Sequence, residues 1–199
     1  MKRTTTFVFL LVLTISIFLL SSCSTPPEDV ANAAIGNEVT GSDTQQRGDS
    51  FDETQTSYPL DPEKSNFTFT GYGPGKEHDG TFLSFSGTLT MENGVIVGAS
   101  GSAQTDSVST GIGPLDNHLK GDDFFDAENY PAITFVSTAI VDGTFTGLLD
   151  FHGITREISF PVTVLEDGIS ADFLLDITPF NLKYAAIDDN VRIRFTVRI

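Results

Sequence analysis

The feature that most constrains this chain is a two-residue alternation of apolar and polar side chains, recurring from Asp61 to the C-terminus. The last stretch is the cleanest: Val191, Ile193, Phe195, Val197 and Ile199 alternate with Arg192, Arg194, Thr196 and Arg198. Successive side chains of a strand point to opposite faces, so this spacing predicts half-buried β-strands rather than amphipathic helices. Residues 65–71 put Phe67 and Phe69 on one face, and residues 81–91 put Leu83, Phe85, Leu89 and Met91 on one face. Residues 94–106 are small. Residues 132–141 set Ile133, Phe135, Ala139 and Val141 against Thr134, Val136 and Thr138. Residues 144–151 align Phe145, Gly147, Leu149 and Phe151, and residues 154–165 align Ile154, Ile158, Phe160, Val162 and Val164. Residues 168–177 align Ile169, Ala171, Phe173, Leu175 and Ile177.

Turn signals fall between these runs. Asn93-Gly94, Asp142-Gly143 and Asp167-Gly168 sit where a two-residue hairpin needs positive φ. Seven or eight strands in series predict an antiparallel sheet that closes into a barrel or folds into a sandwich, because an open sheet would leave apolar surface and edges exposed. Pro161 lacks an N–H and is expected at an edge, a bulge or a gap in the ladder. One segment breaks the period. Pro114 to Gly121 has Pro near a helix start and Gly just past its end, which predicts a short helix. A turn or helical loop then runs from Asp122 to Tyr130. Leu115, Leu119, Phe124 and Phe125 are its expected buried residues.

Eleven basic against 27 acidic residues give a net charge of −16. No nucleic-acid partner is expected, because no basic patch could be drawn from such a balance. The single cysteine excludes an internal disulfide and a Cys-based zinc cluster. Residues 1–22 read as a lipoprotein signal peptide. Lys2 and Arg3 precede an apolar run from Phe7 to Leu20 that is short for a membrane span. Leu20-Ser21-Ser22-Cys23 resembles a bacterial lipoprotein box, with Cys23 as the lipidated residue and the membrane as a partner through that anchor. Residues 23–58 read as a disordered acidic tether, since from Ser24 to Tyr58 they hold seven Asp or Glu, one Arg and few bulky apolar residues. The folded domain is then 59–199.

Within that domain, Asp116-x-His118-Leu119, Asp123-Phe124-Phe125-Asp126 and Tyr130-Pro131-x-Ile133-Thr134-Phe135 closely resemble the signature of the YceI-like family. Phe82-x-x-Phe85-Ser86-Gly87, Leu149-x-Phe151-His152-Gly153-Ile154-Thr155-Arg156 and Phe180-Asn181-Leu182-Lys183-Tyr184 agree with it in order and spacing. The resemblance covers about residues 60–199. It implies an all-β, antiparallel, eight-stranded lipocalin-like barrel with one short helix and a helical loop. It further implies an apolar interior that binds a polyisoprenoid or similar amphipathic lipid, in a protein of the bacterial envelope that is periplasmic or on the outer surface. Phe67, Phe69, Phe85, Leu89, Phe135, Gly147, Leu149, Phe173, Leu175 and Phe195 are the expected lumen residues. Small residues on the inward parity (Gly87, Ala99, Gly147, Ala171) would leave room for a chain-like ligand. Asp116, His118, Leu119, Asp123, Phe124, Phe125, Tyr130, His152, Thr155 and Arg156 are the motif residues, expected at the barrel mouth.

The rival readings are a solid barrel serving structure or protein interaction, and an enzyme using His118 and His152. Asp116 and His118 lie two apart on a helix, so they do not face one another. His78 is expected in a loop. Three scattered histidines lack zinc-ligand spacing. The two motif histidines are expected to hydrogen-bond loop backbone, and Asp116, Asp123 and Asp126 to cap or turn the chain. Gly71-x-Gly73-x-Gly75 opens no helix, so it is no dinucleotide motif. Arg192, Arg194 and Arg198 are expected to solvate an outer face and to discourage edge pairing. No cofactor or metal is expected, and a homodimer is left open.

Overall fold

The computed structural model describes residues 24–40, 55–182 and 187–199. Cys23 lies outside the described residues. Thirteen strands are present among them: β1 (Ala34–Glu38), β2 (Gln55–Pro59), β3 (Asn66–Gly73), β4 (Lys76–Phe82), β5 (Phe85–Glu92), β6 (Val95–Gln104), β7 (Val108–Ser109), β8 (Ala132–Val141), β9 (Thr144–Phe151), β10 (Ile154–Pro161), β11 (Thr163–Val164), β12 (Gly168–Asp176) and β13 (Asn190–Arg198). The helix α1 spans Gly113–Lys120, and turns follow it to Asn129.

The strands form two antiparallel sheets, β1-β10-β9-β8-β6-β5-β2 and β11-β12-β13-β3-β4-β7. They are joined by strands that bend from one sheet into the other. β4 turns directly into β5, and this bent pair runs against β6 and β7. β10 breaks at Pro161 and continues as β11, which pairs with β12. Followed through these bends, the ladders form a closed circuit of eight composite strands. Closure of this kind removes the open edges that the alternation alone would leave.

The periodicity is right in type but slips at identifiable places. β8 has a bulge between Ser137 and Ala139. A bulge adds one residue and reverses the facing that follows it, so Ile140 packs on the core while Val141 is 62% exposed. Leu83 is exposed as well, because it occupies the β4–β5 bend. Asn93-Gly94 and Asp142-Gly143 both have positive φ, as two-residue hairpins require. Asp167-Gly168 does not form such a turn. Gly168 starts β12, and a Cβ there would fall 2.0 Å from the Val197 carbonyl oxygen, so close backbone approach is what demands glycine. His78 lies in β4 rather than in a loop. Pro161 ends β10, beyond the reach of β1.

The expected tether is corrected at two places. Residues 34–38 and 55–59 are strands. The Ala33 amide donates to the Leu174 carbonyl of β12, the Leu174 amide donates to the Ala31 carbonyl, and the chain then runs antiparallel to β10 as β1. Residues 31–38 thus bridge the seam between β10 and β12. β2 lies along β5, and the Leu60 and Asp61 amides donate to Gly87 of β5 and Arg198 of β13. The composition of these segments cannot drive independent folding. The barrel's unpaired backbone groups supply the partners that fix them.

Candidate functional site

The inward faces of the strands enclose a cavity of about 260 Å³. That is far more than the roughly 10–15 Å³ one water needs. Twelve of the chain's 17 phenylalanines line it, and none of its described lining residues is ionisable. Of the expected lumen residues, Phe67, Phe69, Phe85, Leu89, Phe135, Leu149, Phe173, Leu175 and Phe195 are on its wall. Phe82, Phe151, Phe160, Ile193, Leu60 and Ile187 also line it. Phe151, Phe160 and Ile193 share the inward parity and were legible from it, but Phe82 falls opposite the face read over residues 81–91, and Leu60 and Ile187 sit in connections that carry no period.

The rings touch in series. Phe160 stacks on Phe173 at 4.4 Å and meets Phe135 at 5.5 Å and Phe195 at 6.1 Å. Phe195 stacks on Phe67, which meets Phe82 and then Phe125, Phe151 and Phe180. Offset and edge-on contacts of this spacing hold aromatic side chains in fixed orientations.

Two glycines determine where the rings lie. A Cβ at Gly80 would fall 2.2 Å from the Phe69 ring, and one at Gly147 would fall 2.4 Å from the Phe135 ring. Each ring is therefore laid against the wall over a bare backbone, instead of projecting across the lumen. This corrects the expectation for Gly147. It faces inward but does not line the cavity, because Phe135 covers it. Filling position 147 would also strike the Val136 carbonyl oxygen, 2.5 Å from a Cβ there.

The motif residues gather at one end of the barrel, the end that also holds the β3–β4 hairpin. Leu119, Phe124 and Phe125 pack on Phe69 and Phe82 and line the cavity. Asp116 fastens α1 to the residue that follows β7: its Oδ1 accepts from the Thr110 amide and the Thr110 hydroxyl, each at 2.6 Å. These two donors, the hydroxyl first, hold its carboxyl below the usual carboxylate range. Asp126 has φ of 44° and accepts from the Asn129 amide group, a turn role. Asp123 is exposed.

The histidines act by ring contact rather than by the expected hydrogen bonds to loop backbone. His118 is exposed and meets Phe124 edge-on at 4.9 Å. His152 has φ of 54° in the β9–β10 turn and lies 4.5 Å from the Tyr130 ring, with its Nε2 buried and unpartnered. Neither lines the cavity, and among the described residues no cluster of three His, Cys, Asp or Glu could hold a metal ion. Gly153 completes the turn with φ of 72°, under Tyr130. The Tyr130 carbonyl accepts from the buried Thr105 hydroxyl at 2.7 Å. The Thr155 hydroxyl donates to Asp150 at 2.6 Å. Arg156 Nε donates to the Pro179 carbonyl at 2.8 Å and its Nη1 to the Gly36 carbonyl at 3.3 Å.

The arginines of β13 do not guard an edge, since β13 lies between β12 and β3. Arg192 forms a two-pronged pair with Asp172, both bonds 2.7 Å. Arg194 meets Asp79 and Thr70, and Arg198 pairs with Asp167. Their charges are matched on the outer face.

The model of the YceI-like domain family matches residues 58–199. The chain belongs to the YceI-like family. Protein YceI of Escherichia coli O17:K52:H18 (strain UMN026 / ExPEC) is 32% identical over 120 residues, covering 52% of this chain and 63% of that protein. A UPF0312 protein of Pseudomonas putida (strain GB-1) is 31% identical over 96 residues, 45% of this chain and 50% of its own. The chain thus matches less than two thirds of the length of these curated relatives. Among solved structures, Burkholderia cenocepacia BcnA superposes with a TM-score of 0.64 at 24% identity, covering 69% of this chain and 98% of its own. A polyisoprenoid binding domain from Saccharophagus degradans, implicated in plant cell wall breakdown, superposes at 0.57 and 16% identity, covering 72% and 96%. At these identities the likeness is one of fold; the residues matched by the family model include those that line the cavity.

Proposed function

We propose that this YceI-like protein is an envelope lipid carrier. It sequesters a polyisoprenoid or similar amphipathic chain in its barrel and is held to a membrane by a lipid on Cys23. The observation that carries the proposal is the cavity, a large continuous space walled by phenylalanine and aliphatic side chains. A solid barrel would have filled it. A chain-like hydrocarbon gains about 25 cal/mol for each Å² of apolar surface removed from water. Partition therefore supplies the affinity, and the polar end of the ligand remains outside the wall. A bound chain meets no acid, base or nucleophile among the described lining residues, so no chemical step is assigned. The polyisoprenoid-binding domain of like fold supports the choice of ligand class.

Native mass spectrometry of the purified protein with a polyprenyl phosphate tests this. One-to-one binding is expected, with a large loss in Ala99→Phe, which fills the wall where the inward residue of β6 is small. A folded protein that takes up no prenyl chain would overturn the proposal. Separately, Cys23→Ser is expected to move the protein from the membrane fraction to the soluble one.

A further inference from the structure

The chain is already docked at its first described residue. The Ser24 hydroxyl donates to the Gly73 carbonyl at 3.4 Å, at the tip of the β3–β4 hairpin. The chain crosses to β12 at Leu174 and enters β1 along β10. Ala33 and Ile35 pack on the core, and Arg156 holds the Gly36 carbonyl. The described chain thus begins against the barrel wall. The same hairpin borders the cavity at this end of the barrel. Gly71 and Ile187 line the cavity, and the Asp188 amide donates to the Tyr72 carbonyl between them.

We infer that the barrel stands end-on on the bilayer, with the β3–β4 hairpin and residues 187–189 turned to the lipid. The inference rests on Cys23 being the lipidated residue, as proposed above. A single residue spans at most about 3.6 Å, so acyl chains on Cys23 enter the membrane beside the rim. A ligand then exchanges between bilayer and cavity without crossing open water. The rim carries Glu77, Asp188 and Asp189 against Lys76, a negative balance. Those charges give it no attraction of its own for anionic lipid, so the short covalent mount is what brings it there.

The chain has no tryptophan, so one introduced indole reports its own depth. Lys76→Trp places it at the hairpin and Glu166→Trp at the opposite end, in the β11–β12 turn. β12 alone separates the two ends by roughly 30 Å. Each full chain is purified from the membrane fraction and reconstituted in phosphatidylcholine vesicles with brominated acyl chains. The Lys76→Trp protein is expected to lose most of its emission and the Glu166→Trp protein little. A flexible Gly/Ser insertion of about 20 residues between Cys23 and Ser24, which adds a reach of roughly 25 Å, is expected to erase the difference. Equal quenching at both positions, or a difference that survives the insertion, overturns the end-on mount while leaving the anchor intact. Absence of the parent protein from the membrane fraction overturns the anchor itself, and the mount with it.

Discussion

At the scale of single residues, the glycines under aromatic rings matter more than their size suggests. Gly80 and Gly147 let Phe69 and Phe135 lie against the wall. Adding one methyl forces a ring to move into the lumen or the backbone to shift, and overpacking of this kind costs about 1–3 kcal/mol. Gly80→Ala is expected to lower the unfolding free energy by that amount, read from a lower denaturant midpoint, and also to weaken prenyl-chain uptake, because the displaced Phe69 enters the ligand's space. Asp116 gives a second prediction, in pH. Its carboxyl is held below the usual range by Thr110, so the folded chain binds a proton there less readily than the unfolded chain. Its stabilisation is complete at neutral pH and is lost as the pH falls through the depressed value. The stability difference between the parent and Asp116→Asn is expected to be largest near neutrality and to shrink in acid. Urea titrations at several pH values measure it.

At the scale of elements, Arg156 links three pieces that are distant in sequence: β10, the turn at Pro179 and the β1 segment at Gly36. Hydrogen bonds from a charged donor contribute about 1.5–3 kcal/mol when well shielded, and less here because Arg156 is partly exposed. Arg156→Ala is expected to raise amide hydrogen exchange in residues 34–38 while leaving β12 and β13 protected. Uniform acceleration across the barrel would mean that the segment is not an independent unit. The Asp172–Arg192 pair on the outer face is two-pronged but partly exposed. Exposed pairs contribute roughly 0.2–1 kcal/mol, and a double-mutant cycle is expected to fall in that range and to shrink in salt. These two elements were unequally legible. The β13 alternation announced its strand at once. The β1 segment carried no such signal, because what orders it is a seam that exists only after β10 and β12 have diverged.

At the scale of the whole molecule, the net charge of −16 repels itself, and screening by salt relieves that repulsion. The melting temperature is expected to rise from low salt to physiological salt, which opposes the small loss from outer ion pairs. A bound chain should raise it further, since ligand that binds only the folded state stabilises by mass action. A scan with and without a polyprenyl phosphate measures both.

The sequence by itself determined the strand type, the inward parity that put Phe67, Phe85, Phe173 and Phe195 on one surface, the helix before Gly121 and the family motif. These are local or periodic properties, written in neighbouring residues. Only the tertiary structure decided that Phe135 covers Gly147, that the bulge in β8 turns Val141 outward, that residues 31–38 close the seam, and that the space between the sheets stays unfilled. Each of these depends on distances between segments far apart in the chain. Backbone spacing and ring placement are settled when strands twist and pack against one another, and no run of residues states that distance in advance.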